Sequence, residues 1–206
     1  MDKQLFIQSN VKDSDLIERR REQILNASIQ LFRAKGFHRA TTREIASAAG
    51  FSIGTLYEYV RTKEDVLYLI SDRIYAKVSD VFATFNQNNV TIEYLQNVIT
   101  QYIRLVDEMH DEFIIMYQET KSLPKEAISY VIEKELEMVG FFERVILRCI
   151  ENGELNVSNQ AAYFMANEIV TIGQSWAFRK WAFSNRYSLE QFIQQQNQLF
   201  IGSLKR

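Results

Sequence analysis

The chain has 206 residues, of which 47% are hydrophobic and 24% charged, with a formal net charge of −2. That length suits one large domain or two small ones, and that balance excludes a disordered or fibrous chain. With only 7 glycines and a single proline, long helices joined by short connections are expected rather than strands and tight turns.

Residues 1–15 lack helical periodicity and are expected to form a flexible arm. A first helix is predicted over 16–35, where Ile24, Leu25, Ala27, Ser28, Leu31 and Phe32 recur at spacings of three and four. Gly36 should end it in a Schellman turn, with Phe37 folding back on the last turn. Thr41 and Glu44 form a capping-box pattern opening a short second helix that carries Ile45, Ala46 and Ala49 inward and stops at Gly50. Ser52 caps a third, with Ile53, Leu56, Tyr57 and Val60 as inward positions, and Thr62 with Asp65 caps the next. Two short helices meeting at a glycine turn make a helix-turn-helix. Helices are then predicted over 63–87, 91–109, 112–122, 124–152, 158–183 and 188–204, the last opened by the Ser188–Gln191 capping pattern. The chain therefore reads as all-α, divided into an arm (1–15), a three-helix head with a helix-turn-helix (16–62) and a larger helical body (63–206).

Charge is distributed to match. From Glu18 to Lys63 nine Lys or Arg stand against four acids, whereas from Val66 onward 13 basic residues face 17 acidic ones. A basic head on a mildly acidic body points to double-stranded DNA as a partner of the head. The third helix is expected to expose Gly54, Thr55, Glu58 and Tyr59. Small Gly54 and Thr55 allow close approach to base edges, and a threonine methyl packs on a thymine methyl. Arg43 at the start of the supporting helix suits a bidentate contact to guanine. Tyr57, Tyr59 and Lys63 suit phosphate contacts, which fix register, and Arg19, Arg20 and Arg21 suit phosphate or minor-groove contacts.

The segment from Arg21 to Ile70, above all AKGFHRATTREIASAAGFSIGTLYEYVRTKEDVL, resembles the N-terminal domain of the TetR family of repressors. The resemblance implies a homodimer on a palindromic operator, released by a ligand that enters the body. It assigns supporting-helix contacts to Thr41, Thr42 and Arg43, base contacts to Ile53, Gly54 and Thr55 beside the Ser52 cap, and phosphate contacts to Tyr57, Tyr59 and Lys63. Val60 departs from the phenylalanine common in the family, at an inward position.

In the body, polar residues on otherwise apolar faces mark the ligand site. Asn167, Glu168, Thr171 and Gln174 on the helix over 158–183, with Arg104, Gln118 and Arg144 on facing helices, are the expected ligand contacts. The last two helices carry large apolar faces, including Leu189, Phe192, Ile193, Leu199 and Phe200, and by the resemblance form the homodimer interface. MYQETKSLPKE and GQSWAFRKWAF resemble family members that govern fatty-acid or aromatic-acid degradation and respond to acyl-CoA thioesters. That implies a hydrophobic effector, with Arg144, Arg148, Arg179 or Lys180 near the CoA phosphates; a lipophilic cation held by Glu168 is the competing class.

Two histidines, one cysteine, and the lack of any glycine-rich phosphate loop or metal-ligand spacing argue against an enzyme and against a cofactor or metal site. A helical adaptor would explain the body but not the capped head. Cys149 between Leu147 and Ile150 reads as a buried thiol in a reducing cytoplasm. No apolar run is long enough for a signal peptide or membrane span, so a cytoplasmic protein with no membrane partner is expected.

Overall fold

The computed structural model describes residues 13–85 and 90–202, and among these there is no strand. Ten helices follow in order: α1 (Ser14–Lys35), α2 (Thr42–Ala48), α3 (Ile53–Tyr57), α4 (Lys63–Ala83), α5 (Ile92–Glu108), α6 (His110–Glu119), α7 (Lys125–Glu151), α8 (Asn159–Phe178), α9 (Lys180–Phe183) and α10 (Leu189–Gly202), with a 3-10 turn at Thr120–Ser122. No described helix is long and apolar enough to cross a membrane.

The chain divides into two compact units. One runs to Arg73 and adds Ile114–Val131; the other takes Ile74–Phe113 and the chain from Ile132 onward. The compact units do not part at the expected boundary between 62 and 63, because the first half of α4 completes the first unit's core with Val66, Leu67 and Ile70, none of them exposed. The returning segment adds Tyr130, whose hydroxyl donates to Asp72 Oδ1 at 2.7 Å and whose ring lies 5.1 Å from that of Tyr68.

Most of the arm expected over 1–15 lies outside the described residues, but its last residues are helical. Asp13 is the N-cap of α1, its carboxylate accepting from Leu16 N at 3.0 Å. Gly36 ends α1 as expected but not in a Schellman turn: φ 81° and ψ 153° place it in an extended region open essentially to glycine alone. Phe37 still folds back, edge-on to Phe32 at 5.2 Å.

The second unit is built on α5, which packs against α8 and α10, with α9 against α8. Phe82 stacks on Phe141 at 4.0 Å and meets Phe142 edge-on at 5.3 Å, and Tyr102 and Phe142 are fully buried. Gly173 of α8 leaves room for the Tyr102 ring of α5: a Cβ there would stand 2.3 Å from Tyr102 Cε1. The helix expected over 158–183 is broken at Arg179 (φ −121°, ψ 20°), which separates α8 from α9. The Ser188–Gln191 capping box forms, with Ser188 N to Gln191 Oε1 at 2.8 Å and Gln191 N to Ser188 Oγ at 3.2 Å.

Candidate nucleic-acid interface and effector site

Helices as short as α2 and α3 are held by their caps and their neighbours, since so few turns are marginal alone. Thr41 N donates to Glu44 Oε2 at 3.0 Å, and Glu44 N to Thr41 Oγ1 at 3.3 Å, closing the capping box. The other Glu44 oxygen accepts from Lys35 Nζ at 2.6 Å, tying α2 to the end of α1. The Lys35 hydrogen bond first, and those from Thr41 after it, hold the Glu44 carboxyl down at about 2. Gly50 makes the turn with φ 76°, a left-handed value that favours glycine. Ser52 Oγ accepts from Thr55 N at 3.0 Å to start α3, and Asp65 Oδ2 accepts from the Arg61 and Thr62 amides at 2.8 and 3.1 Å to start α4.

This scaffold brings several expected contacts to one side of the head. Thr41, Arg43, Ser52 and Gly54 are exposed, and Thr42, Ile53 and Thr55 half-buried. Tyr57, read both as an inward position of α3 and as a phosphate contact, is 49% exposed, and its hydroxyl lies 3.4 Å from Thr42 Oγ1, between α2 and α3. Leu56 alone of α3 is fully buried.

Three expected contacts are corrected. Tyr59 is not on the surface but 4% exposed: α3 ends at Tyr57, and the turn that follows, with Tyr59 N and Val60 N both donating to Leu56 O at 3.0 Å, carries Tyr59 inward. The Lys63 ammonium is drawn onto the α1–α2 loop. Nζ donates to the carbonyl oxygens of Phe37, His38 and Ala40 at 3.1, 3.1 and 3.4 Å and sits 4.4 Å from the centre of the Phe37 ring. Three donors and three convergent acceptors make this a clamp on the α1–α2 loop. Arg21 turns toward Asp65, Asp72 and Tyr68; burial lowers its pKa and the two aspartates counter that. Arg19 stays exposed, while Arg20 donates to Gln23 Oε1 at 3.0 Å with its guanidinium 5.1 Å from the Phe51 ring centre. Sequence reasoning gave His38 no part, yet its Nε2 lies 3.2 Å from Glu119 Oε2 at the end of α6.

The expected effector contacts are mostly dispersed. Arg104 is exposed and pairs with Glu190 at 3.1 Å; Gln118, Arg144 and Thr171 are exposed, Gln118 in the first unit. Asn167 donates to the Tyr163 carbonyl one turn back at 2.8 Å, and Glu168 is half-buried. Thr171 stands on the exposed side of α8, and Arg104, Gln118 and Arg144 on the exposed sides of α5, α6 and α7. Lys180 is committed to Asp107 at 2.6 Å. Gln174 alone of the set is brought into a half-buried polar cluster, donating to Glu135 Oε1 at 2.9 Å, with Tyr75 donating to Glu135 Oε2 at 3.1 Å. Sequence reasoning missed Glu135 and Tyr75. The signal was present, since Glu135 falls in register with Ala127, Val131, Met138 and Phe142 along the inner stripe of α7.

A capped helix-turn-helix with an exposed polar face, joined to a larger helical unit, defines a helical DNA-binding regulator. Residues 24–68 match the family described as bacterial regulatory proteins, tetR family, and residues 89–174 match the tetracyclin repressor-like C-terminal domain. The transcriptional regulator HbdR of Aromatoleum sp. (strain CIB) is 28% identical over 92% of this chain and 82% of its own length. The transcriptional repressor KstR2 of Rhodococcus jostii (strain RHA1) is 26% identical over 76% of this chain and 79% of its own. In fold, a TetR-family regulatory protein from Rhodococcus RHA1 superposes with a TM-score of 0.80 at 21% identity, covering 90% of this chain and 97% of the other. AibR in complex with isovaleryl coenzyme A and operator DNA superposes with a TM-score of 0.75 at 20% identity, covering 88% and 98%. The chain belongs to the TetR family of transcriptional regulators. It is a DNA-binding regulator of transcription, as its relatives are, and not an enzyme.

Proposed function

We propose that the protein is a repressor that binds a palindromic operator as a homodimer and leaves it when a small hydrophobic effector, an acyl-CoA thioester, enters the second unit. The observation that carries the DNA half is the face on α2 and α3 formed by exposed Arg43 and Tyr57 beside half-buried Thr42 and Thr55, with Arg43 the base-reading side chain and Gly54 permitting close approach. Dimerisation is supported by large apolar side chains left open on α8 to α10: Phe164 is 67%, Trp181 72% and Leu199 68% exposed. The acyl-CoA half draws on similarity, because the relatives include a fatty acid metabolism regulator protein from Bacillus subtilis and the structural neighbour bound to isovaleryl coenzyme A. Arg144, Arg148 and Arg179 are exposed on the second unit, where CoA phosphates would stay solvated.

The test is fluorescence anisotropy on the DNA upstream of the protein's own gene. Binding should weaken steeply with salt, as counterions displaced from phosphates demand. An acyl-CoA chain-length series should release the DNA while free CoA does not. Salt-independent or absent binding would sink the DNA half; release by a cationic dye and by no acyl-CoA would select the competing effector class, which the half-buried Glu135 carboxylate favours.

A further inference from the structure

In the second unit four helices bring polar side chains together, three of them half-buried and one fully buried: Tyr75 from α4, Glu135 from α7 and Gln174 from α8, with Tyr102 from α5 beneath them. The Tyr102 hydroxyl is wholly buried and reaches the Val170 carbonyl at 3.4 Å. Glu135 receives Tyr75 on one oxygen and Gln174 on the other, at 3.1 and 2.9 Å. Both donors are neutral. No lysine or arginine pairs with Glu135 among the described residues, and its neighbour Lys134 reaches Glu137 instead, at 2.7 Å.

As a stabilising device this is a poor choice. A half-buried carboxylate held only by neutral donors carries a desolvation cost that no positive charge offsets, and a neutral residue of similar size would avoid it. Burial accordingly raises its pKa, against the Gln174 and Tyr75 hydrogen bonds. A carboxylate accepts about four hydrogen bonds, and the two found here leave acceptor capacity on both oxygens. In apolar surroundings that capacity is best met by a donor, and it repels a phosphate or carboxylate brought to the same place.

We propose that Glu135, positioned by Tyr75 and Gln174, is the recognition point of the effector site, and that it accepts a hydrogen bond from a hydroxyl or ammonium group carried on the otherwise apolar part of the effector. This rests on the reading of the second unit as effector-binding, and it adds what that reading lacks: the chemistry of the effector's buried end. For an acyl-CoA it places the hydroxyl on the acyl chain, with the phosphates kept away from Glu135.

The experiment uses the full chain and two matched ligand pairs, each differing only in the donor: 3-hydroxyoctanoyl-CoA against octanoyl-CoA, and octylammonium against octyltrimethylammonium. Dissociation constants come from calorimetry and are checked by the ligand-induced rise in Tm. The donor-bearing member of one pair should bind at least about tenfold more tightly, and the pair that responds tells hydroxyl from ammonium. Glu135→Gln, which keeps the shape and one acceptor oxygen but no charge, should lose a preference for the ammonium and retain part of one for the hydroxyl. Glu135→Leu should erase the preference while raising the Tm of the free protein, a pairing of gained stability with lost selectivity that a merely structural carboxylate would not give. The proposal fails if donor-bearing and donor-less ligands bind equally to the unaltered protein, or if the preference survives Glu135→Leu. Binding without preference overturns it alone; absence of binding by all four ligands overturns it together with the effector-binding reading.

Discussion

The two units solve the problem of holding helices in place by different means. In the first, helices of 7 and 5 residues are fixed by caps: Thr41 with Glu44, Ser52 with Thr55, Asp65 with the Arg61 and Thr62 amides. In the second, helices of 17 and 20 residues are fixed by packing, most tightly where the Tyr102 ring of α5 lies over Gly173 of α8. The surfaces differ as well, the first unit presenting Arg43 and Tyr57 and the second presenting Phe164 and Trp181. Geometry set by capping serves recognition of a rigid polar partner, whereas geometry set by packing shifts when something enters the core.

The sharpest way to break this contrast is Gly173→Ala. The new Cβ would stand 2.3 Å from Tyr102 Cε1 and 2.8 Å from Cδ1, so the Tyr102 ring or the two helices must shift. A loss of about 1–3 kcal/mol is expected from overpacking, read from urea unfolding, with the first unit's caps intact. Unchanged stability would mean that Tyr102 moves freely and that the second unit is not fixed by this contact.

Lys63 tests whether the head's charges position or bind. Lys63→Arg keeps the charge but cannot seat a planar guanidinium among the Phe37, His38 and Ala40 carbonyls. Both Lys63→Arg and Lys63→Met should weaken operator binding with the salt slope unchanged. A direct phosphate contact would survive arginine and lower the slope by about 1 in the methionine variant.

The smallest effect comes from the cap itself. Thr41→Ala should cost about 1 kcal/mol of stability, yet reduce operator binding more than Gly173→Ala does, because it loosens the start of α2 next to Arg43. The pH dependence follows from Glu44, whose carboxyl is lowered from 4.5 to about 2. A depressed acid adds stability that is fully present above its ordinary value and lost as pH falls through the folded one. The stability advantage over Glu44→Gln should therefore hold at neutral pH, shrink below 4.5 and vanish near about 2. A gap that persists in stronger acid would place the stabilisation elsewhere.

The head was legible because its signals are local. A capping box spans four residues, and Thr41–Glu44 and Thr62–Asp65 both form where their spacing predicts. Legibility failed where a helix stopped early. Assuming that α3 continued to Val60 put Tyr57 inside and Tyr59 outside, and its end at Tyr57 reverses both. The body was legible only as helices. Which polar residue looks inward depends on the meeting of α4, α7 and α8, and no single helix reveals that. Arg104 and Thr171 turned outward, while Glu135 stood unnoticed on the inner stripe of α7.

The return of Ile114–Val131 to the first unit has a consequence for anyone treating the DNA-binding part as a portable cassette. A fragment cut at residue 62 would lack Val66, Leu67 and Ile70, the Tyr130 ring beside Tyr68, and the Glu119 carboxylate facing His38. One splice cannot graft this head onto another body, because the polypeptide leaves the first unit, comes back and leaves again. A chimera must carry two stretches of sequence together, and an exchange of either alone breeds a head with a foreign floor.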